Sequence, residues 1–475
     1  MRFERCGDEA LVGRSGRLTY ADLDNATARA ANAWRSLGVS AGDRVACTLP
    51  NDIDIVIAFL GAMRIGAIWV GVNIALAPPE QDYIVRDSGA SVYLGRDLPL
   101  DDWRGRCEAA PAGHMNDAVV GSHEPAAIAY TSGTTGFPKG AVHSRHNLLF
   151  VGHATKVTRQ YDPSLRQGVC LPLTLLNLMV LGPLTAFQLG SCLVCMDRVD
   201  PVGLAEWIER ERIATFSAVP TMVHGLLTHP DVRPEQLTPL VRPAVGGADL
   251  PESFRAMYRE RFGAEVTIGY GLTEAPTAVT LTDPASPPRP GEAGRALAQV
   301  EIVIVDDDDH TLAPGEVGEV CVRAASTGPL ADQWTPMLGY WNQPEASARA
   351  LRGGLLHTGD LGSLDREGHL YIKDRRNDVI IRGGANVYPA EVERVLHAHP
   401  HVVACAVVGY PDERLGERVA AFVQPDEIVA EAELAAHCAG QLARYKVPDR
   451  WEFVKEFPRT AMGKIKKREL AARLR

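Results

Sequence analysis

The chain is 475 residues long, 46% hydrophobic and 23% charged, with a formal net charge of −10 at pH 7. That length exceeds what one hydrophobic core serves and points to two or three folding units of ordinary globular composition. The acidic balance speaks against nucleic-acid partners, which require basic surface, and no apolar run reaches the length of a membrane span. The opening segment, residues 1–6, has no apolar signal core, so a cytoplasmic location is expected. Nine cysteines, odd in number and scattered, fit reduced thiols. Cys192 and Cys195 form a lone CxxC inside a strand-like run and read as core thiols.

In chain order, the first part alternates helix and strand. Thr19 to Asp22 has the form of a capping box. The Ala-rich run through Leu23, Ala26, Ala30, Ala33 and Leu37 predicts a helix ended by Gly38. Strands are predicted at 44–49, 68–72 and 91–94, with a helix at 53–65 and another opening at Pro78, a residue suited to a first turn. This alternation predicts an α/β fold with a largely parallel sheet. Residues 96–122 are polar and read as an irregular surface connection. A buried strand at 126–129 then leads into Tyr130–Gly140, where four Ser and Thr residues, three glycines and one lysine occupy eleven positions. Glycines let backbone wrap closely around an anion, N–H groups and hydroxyls donate to its oxygens, and Lys139 adds a mobile positive charge. Pro138 before Lys139 excludes the helix start of the common P-loop. The segment reads as a phosphate cradle of another kind, the alternative being an ordinary surface turn.

The run from Thr131 to Gly140 is similar to the signature of the adenylate-forming superfamily: acyl-CoA synthetases, luciferases and peptide-synthetase adenylation domains. Further motifs follow in that family's order over nearly the whole chain, most like an acyl-CoA synthetase. The resemblance implies a large N-terminal ATP- and acyl-binding domain, residues 1–376, built of mixed, largely parallel sheets flanked by helices and including a β-rich subdomain at about 285–373. It implies a small, mobile α+β C-terminal domain at 377–475. It assigns Thr131, Ser132, Gly133, Thr134, Thr135, Gly136 and Lys139 to the nucleotide phosphates.

Past the cradle, His143–Val151 reads as the start of a helix, and a metal site on His143 and His146 lacks further ligands. Residues 171–180 are strongly apolar. Where family members often carry an aromatic residue and a histidine beside the acyl pocket, this chain has Thr174 and Leu175. No carboxylate lies in 171–181 to hold a substrate ammonium, which a buried cation would need, so an uncharged, hydrophobic acid is expected. Strands are predicted at 214–219, 243–248 and 267–274, and ligands collect at the C-terminal ends of strands in open α/β sheets. By resemblance Gly246, Gly247, Ala248, Tyr270 and Gly271 line the adenine and acyl pocket, Thr273 bonds the α-phosphate, and Glu274 holds Mg2+, an ion that takes one or two carboxylates with phosphate oxygens. Strands at 300–305 and 318–322 form a pair, and Asp306–Asp309 reads as a solvated turn. Asp360 matches the carboxylate that accepts the ribose hydroxyls, and Arg375 the arginine near ribose and phosphate. Asn377 falls at the family's hinge, usually Asp or Lys. Gly383 and Gly384 match the loop that approaches the pantetheine of CoA, and Lys464 the mobile catalytic lysine. Lys446, Lys466 and Lys467 read as surface charge.

Together these predict an ATP-dependent acyl-CoA ligase. A carboxylate attacks the ATP α-phosphate, pyrophosphate leaves, and CoA thiol displaces AMP. The expected cofactors are ATP, Mg2+ and coenzyme A. A carrier-protein phosphopantetheine is the alternative acceptor, and a homodimer is left open.

Overall fold

A computed structural model describes residues 8–113, 120–131, 138–158, 162–241, 243–245, 252–286, 289, 291–375, 378, 380–382, 385–412, 415–442, 444–459 and 465–474. Four sheets organise them. In the first, Pro125–Thr131, Ile68–Gly71, Arg44–Cys47 and Val92–Leu94 run parallel, with Lys139–Ser144 and Gly339–Tyr340 added antiparallel at one edge. The second is parallel through Ala244–Val245, Ile213–Ala218, Arg166–Val169, Leu193–Cys195 and Glu9–Gly13, ending in a hairpin with Gly16–Thr19. The third is antiparallel throughout and takes seven strands between Gly269 and Arg375. The fourth, with helix Pro389–His397 packed on it, forms the small C-terminal domain. The fold is thus mixed α/β, a large N-terminal domain with a small α+β domain after it.

Local signals set several elements as expected. Thr19 and Asp22 close a reciprocal capping box on helix Tyr20–Ser36. Helix Ile53–Ile65 starts at Asp52, whose carboxylate accepts from Ile53 N–H, and stops at Gly66 with φ +77°. The two helices pack around Trp34, Ile55 and Phe59, all without solvent exposure.

Three expectations are corrected. Residues 100–109 are a helix, not irregular chain. Tertiary contacts override the polar local sequence: Trp103 buries its ring 4.3 Å from that of Trp34, and Arg104 forks onto Asp54 at 2.6 and 3.2 Å. His143 belongs to strand Lys139–Ser144, and the helix is Arg145–Thr158. Finally, Gly269–Gly271 does not extend the parallel series of the two strands before it. It is a short edge strand of the antiparallel sheet, paired with Ala278–Leu281.

The apolar stretch after Leu171 becomes a helical run, Leu176–Met179, Val180–Leu184 and Thr185–Leu189, with a wide turn over Pro183. Its approach is fixed by Gly71. A Cβ there would lie 1.9 Å from the Thr174 carbonyl oxygen, so only glycine lets the two chains touch. Cys192 and Cys195 are buried, and burial pushes both thiols up, Cys192 to about 12. Among the described residues no helix is long and apolar enough to cross a membrane.

Candidate active site

The signature segment is a hairpin. Thr131 ends one strand opposite Lys139, which begins the next, so residues 132–137 are its connection. Ser132, Gly133, Thr134, Thr135 and Gly136 lie outside the described residues. Behind the hairpin, Tyr83 donates to the Pro138 carbonyl at 3.2 Å and Tyr130 to Asp87 at 2.6 Å. A Cβ at Gly140 would sit 2.6 Å from Ile128, so the hairpin lies close against its own first strand.

Lys139 projects its ammonium over the Tyr340 ring, 5.1 Å from the centroid. The Tyr340 hydroxyl donates to Glu274 Oε1 at 2.7 Å. Burial, and then the Glu274 charge, push the phenol far above its ordinary value, so it remains a donor. Glu274 is half-buried, and its carbonyl accepts the Met337 N–H at 2.8 Å. Four residues back, Tyr270 donates from its hydroxyl to Asp360 Oδ2 at 2.6 Å. Asp360 in turn stands opposite Arg375 in the register of strands Leu356–Leu364 and His369–Arg375. The segment 270–274 therefore joins Lys139, Glu274 and Asp360 through two tyrosines. Thr273 and Gly271 lie on the same segment.

The strand segment carrying Asp360 has its own support, which sequence reasoning missed. Thr358 Oγ1 accepts the Asp360 N–H at 3.1 Å, and Glu319 Oε1 accepts the Gly359 N–H at 3.1 Å. Glu319 Oε2 meets His357 Nδ1 at 3.1 Å, beside Cys321. The Arg352 guanidinium already lies 3.4 Å from Glu319 and 2.7 Å from Asp309, so this buried Glu, Cys and His group has its cation and braces the strand that carries Asp360. The Asp306 carboxylate accepts the N–H groups of Asp308 and His310, each at 2.9 Å, the bonding of a hairpin turn.

Gly246, Gly247 and Ala248 lie outside the described residues. They follow strand Ala244–Val245, whose Val245 pairs with Ala218 at the C-terminal end of the parallel sheet. Gly383 and Gly384, also outside, connect Arg382 to its strand partner Ala385. Lys464 and Asn377 are outside too, as is the Arg375 side chain. The flanks of Lys464 are described: Arg459 bridges Ile465, and Lys466 N–H donates to the Pro458 carbonyl at 2.8 Å. Two lysines expected as surface charge are ion-paired to helix Pro389–His397. Lys446 forks onto Glu391, both contacts at 2.7 Å, and Lys467 meets Glu393 at 2.8 Å.

A cationic amine, a hydroxyl-rich hairpin and two carboxylates can together hold a nucleoside triphosphate. Glu274 has one oxygen turned to Tyr340 and a second that could serve Mg2+, which keeps waters and takes few carboxylates beside phosphate oxygens.

The comparisons with known proteins agree with this arrangement. The family model described as AMP-binding enzyme matches residues 3–341, and that described as AMP-binding enzyme C-terminal domain matches 391–464. The chain is 35% identical to a feruloyl-CoA synthase of an Amycolatopsis species, covering 100% of this chain and 98% of that one. It is 35% identical to the long-chain-fatty-acid–CoA ligase FadD13 of Mycobacterium tuberculosis, over 95% of this chain and 92% of the relative. The crystal structure of ATP-bound MatB from Rhodopseudomonas palustris superposes with a TM-score of 0.89 at 27% identity, covering 99% and 97% of the two chains. Fold and signature define an adenylate-forming enzyme. The chain belongs to the AMP-binding enzyme family, among its AMP-forming acid–thiol ligases, the acyl-CoA synthetases.

Proposed function

We propose that the protein joins a hydrophobic carboxylic acid to coenzyme A in two steps at this one site. In the first, the acid's carboxylate oxygen attacks the α-phosphorus of ATP in line, the bond to the β-phosphate oxygen breaks, and pyrophosphate leaves. Two anions must meet, so the task is charge neutralisation and positioning. Lys139, with Thr131, Ser132, Thr134 and Thr135 and the backbone of Gly133 and Gly136, holds the phosphates. Thr273 bonds the α-phosphate, Asp360 accepts the ribose hydroxyls beside Arg375, and Gly246, Gly247, Ala248, Tyr270 and Gly271 line the base and acyl pocket. Glu274 would hold Mg2+, which when bound neutralises phosphate charge. Lys464 reaches the reacting phosphate from the small domain. In the second step the CoA sulfur forms a bond to the acyl carbon and the bond to AMP breaks. The small domain, from residue 377, pivots so that Gly383 and Gly384 replace Lys464 at the site.

The observation that carries this reading is the linkage of Lys139, Glu274 and Asp360 through Tyr340 and Tyr270, since it brings an amine and two carboxylates together, the groups that binding phosphate, metal and ribose would need. The hydrophobic acid rests on Leu171–Leu189, an apolar run without a carboxylate. The relatives' names, feruloyl and long-chain fatty, describe acids with apolar bodies. The test is a panel of aliphatic, aromatic, dicarboxylic and amino acids with ATP and Mg2+, each offered free CoA or a holo-carrier protein. AMP release with an apolar acid and free CoA is expected. Release with an amino acid, or with the carrier alone, would overturn the substrate or the acceptor respectively.

A further inference from the structure

Lys139 and Glu274 approach opposite parts of one tyrosine. Two such groups in a half-buried cleft would ordinarily pair with each other, and each would then be lost to the nucleotide. Among the described residues neither pairs with the other. The ammonium lies 5.1 Å above the ring centroid of Tyr340, and the carboxylate accepts the hydroxyl of the same residue at 2.7 Å. The aromatic face holds a cation without neutralising it. The phenol occupies one carboxylate oxygen and fixes the orientation of the other.

Tyr340 is itself held from several sides. Its short strand pairs with the strand that Lys139 begins, Gly339 opposite Val142 and Tyr340 opposite Ala141. Leu338 N–H donates to Val142 and Trp341 N–H to Gly140, each at 2.7 Å, and Tyr340 N–H donates to Ser347 Oγ at 2.8 Å. The Met337 N–H bond to the Glu274 carbonyl ties the same segment to the carboxylate's own backbone. Segment 337–341 is therefore stitched to both partners' chains, and its Tyr340 side chain meets both partners' charged groups.

We propose that Tyr340 is a positioning residue that keeps Lys139 and Glu274 apart and separately aimed, its ring serving the phosphate-binding amine and its hydroxyl the metal-binding carboxylate. This rests on the proposed roles of Lys139 and Glu274. The two arms are separable by substitution. Tyr340→Phe keeps the ring and removes the hydroxyl, whereas Tyr340→Leu removes both.

The experiment is equilibrium binding, not turnover. Mn2+ affinity is measured by electron paramagnetic resonance in the presence of α,β-methylene-ATP, and analogue affinity alone is measured by calorimetry in EDTA. Loss of a hydrogen bond to a charged group predicts that Tyr340→Phe weakens Mn2+ binding about tenfold with metal-free analogue affinity unchanged. Tyr340→Leu should add a weakening of about threefold in metal-free affinity, the size of an exposed cation–π contact. Wild-type Mn2+ affinity in Tyr340→Phe overturns the proposal, and so does an equal loss in both measurements. Glu274→Gln is measured in parallel. If it weakens Mn2+ binding and Tyr340→Phe does not, only the inference about Tyr340 falls. If Glu274→Gln leaves Mn2+ binding intact, the assignment of Glu274 falls and the inference with it.

Discussion

The Tyr270 hydroxyl donates to Asp360 Oδ2 at 2.6 Å, and on the proposed role of Asp360 this bond would set how the carboxylate meets a ribose. The phenol engages one carboxylate oxygen and fixes the side-chain rotamer. Tyr270→Phe removes a charge-assisted hydrogen bond, so the KM for ATP should rise about tenfold. The KM for 2′,3′-dideoxy-ATP, which lacks the hydroxyls Asp360 would accept, should hardly move. An equal rise for both nucleotides would remove the ribose from the explanation. Lys139, Glu274 and Asp360 were legible in the sequence because each sits in a short pattern of fixed spacing. Their tyrosine partners were not legible in those roles. Tyr270 is 90 positions from Asp360 and Tyr340 is 66 from Glu274, and no local periodicity reports a bond made across that separation.

Strand Lys139–Ser144 carries Lys139 at one end and His143 near the other, and the two ends live in different dielectrics. His143 has no solvent exposure, and burial pushes the imidazole down to about 4 against a smaller upward pull from the Thr273 backbone. The unfolded chain binds this proton near the ordinary value of 6.5. Between those values the unfolded state holds more protons than the native one, so stability falls as pH falls from about 6.5 towards about 4. By pH 4.5 this single group should cost about 2–3 kcal/mol. Urea midpoints at pH 7 and 4.5 are the measurement. His143→Leu should lose markedly less stability over that interval than the wild type, and parallel losses would dismiss the histidine as the cause. His143 and Ser144 were read into the following helix, which starts at Arg145, because the polar run from His143 resembles a helix start, while burial on a β-face is set by partners remote in sequence. The same reason hid helix Leu100–Ala109, whose anchor is Trp103 against Trp34. It also hid which sheet the strand at 267–274 joins, since that depends on Ala278–Leu281. Helices Tyr20–Ser36 and Ile53–Ile65 were legible because their caps, Thr19, Asp52 and Gly66, act within one turn.

At the scale of the molecule, one small domain carries two separate assignments, Lys464 and the pair Gly383 and Gly384. Helix Pro389–His397 pairs with two lysines that flank Lys464 in the sequence, Glu391 with Lys446 and Glu393 with Lys467. Strands Ile380–Arg382 and Ala385–Val387, which flank Gly383 and Gly384 in the sequence, pair in the sheet of that domain. On the proposed roles Lys464 serves the first step and Gly383 and Gly384 the second, and only one of them need meet the large domain at a time. Opposite lesions then follow. Lys464→Ala removes an oriented electrostatic donor from the first step, and carboxylate-dependent pyrophosphate exchange should fall roughly a hundredfold or more. The same variant, given synthetic acyl-adenylate and CoA, should form thioester at close to the wild-type rate, because sulfur attack needs no lysine. Gly384→Leu should do the reverse, sparing pyrophosphate exchange while slowing thioester formation, since a side chain would fill the approach that glycine leaves open. If both variants lose both half-reactions in proportion, the small domain acts as one fixed wall and the pivot at residue 377 is wrong. If Lys464→Ala keeps full exchange, the assignment of Lys464 to the reacting phosphate is wrong.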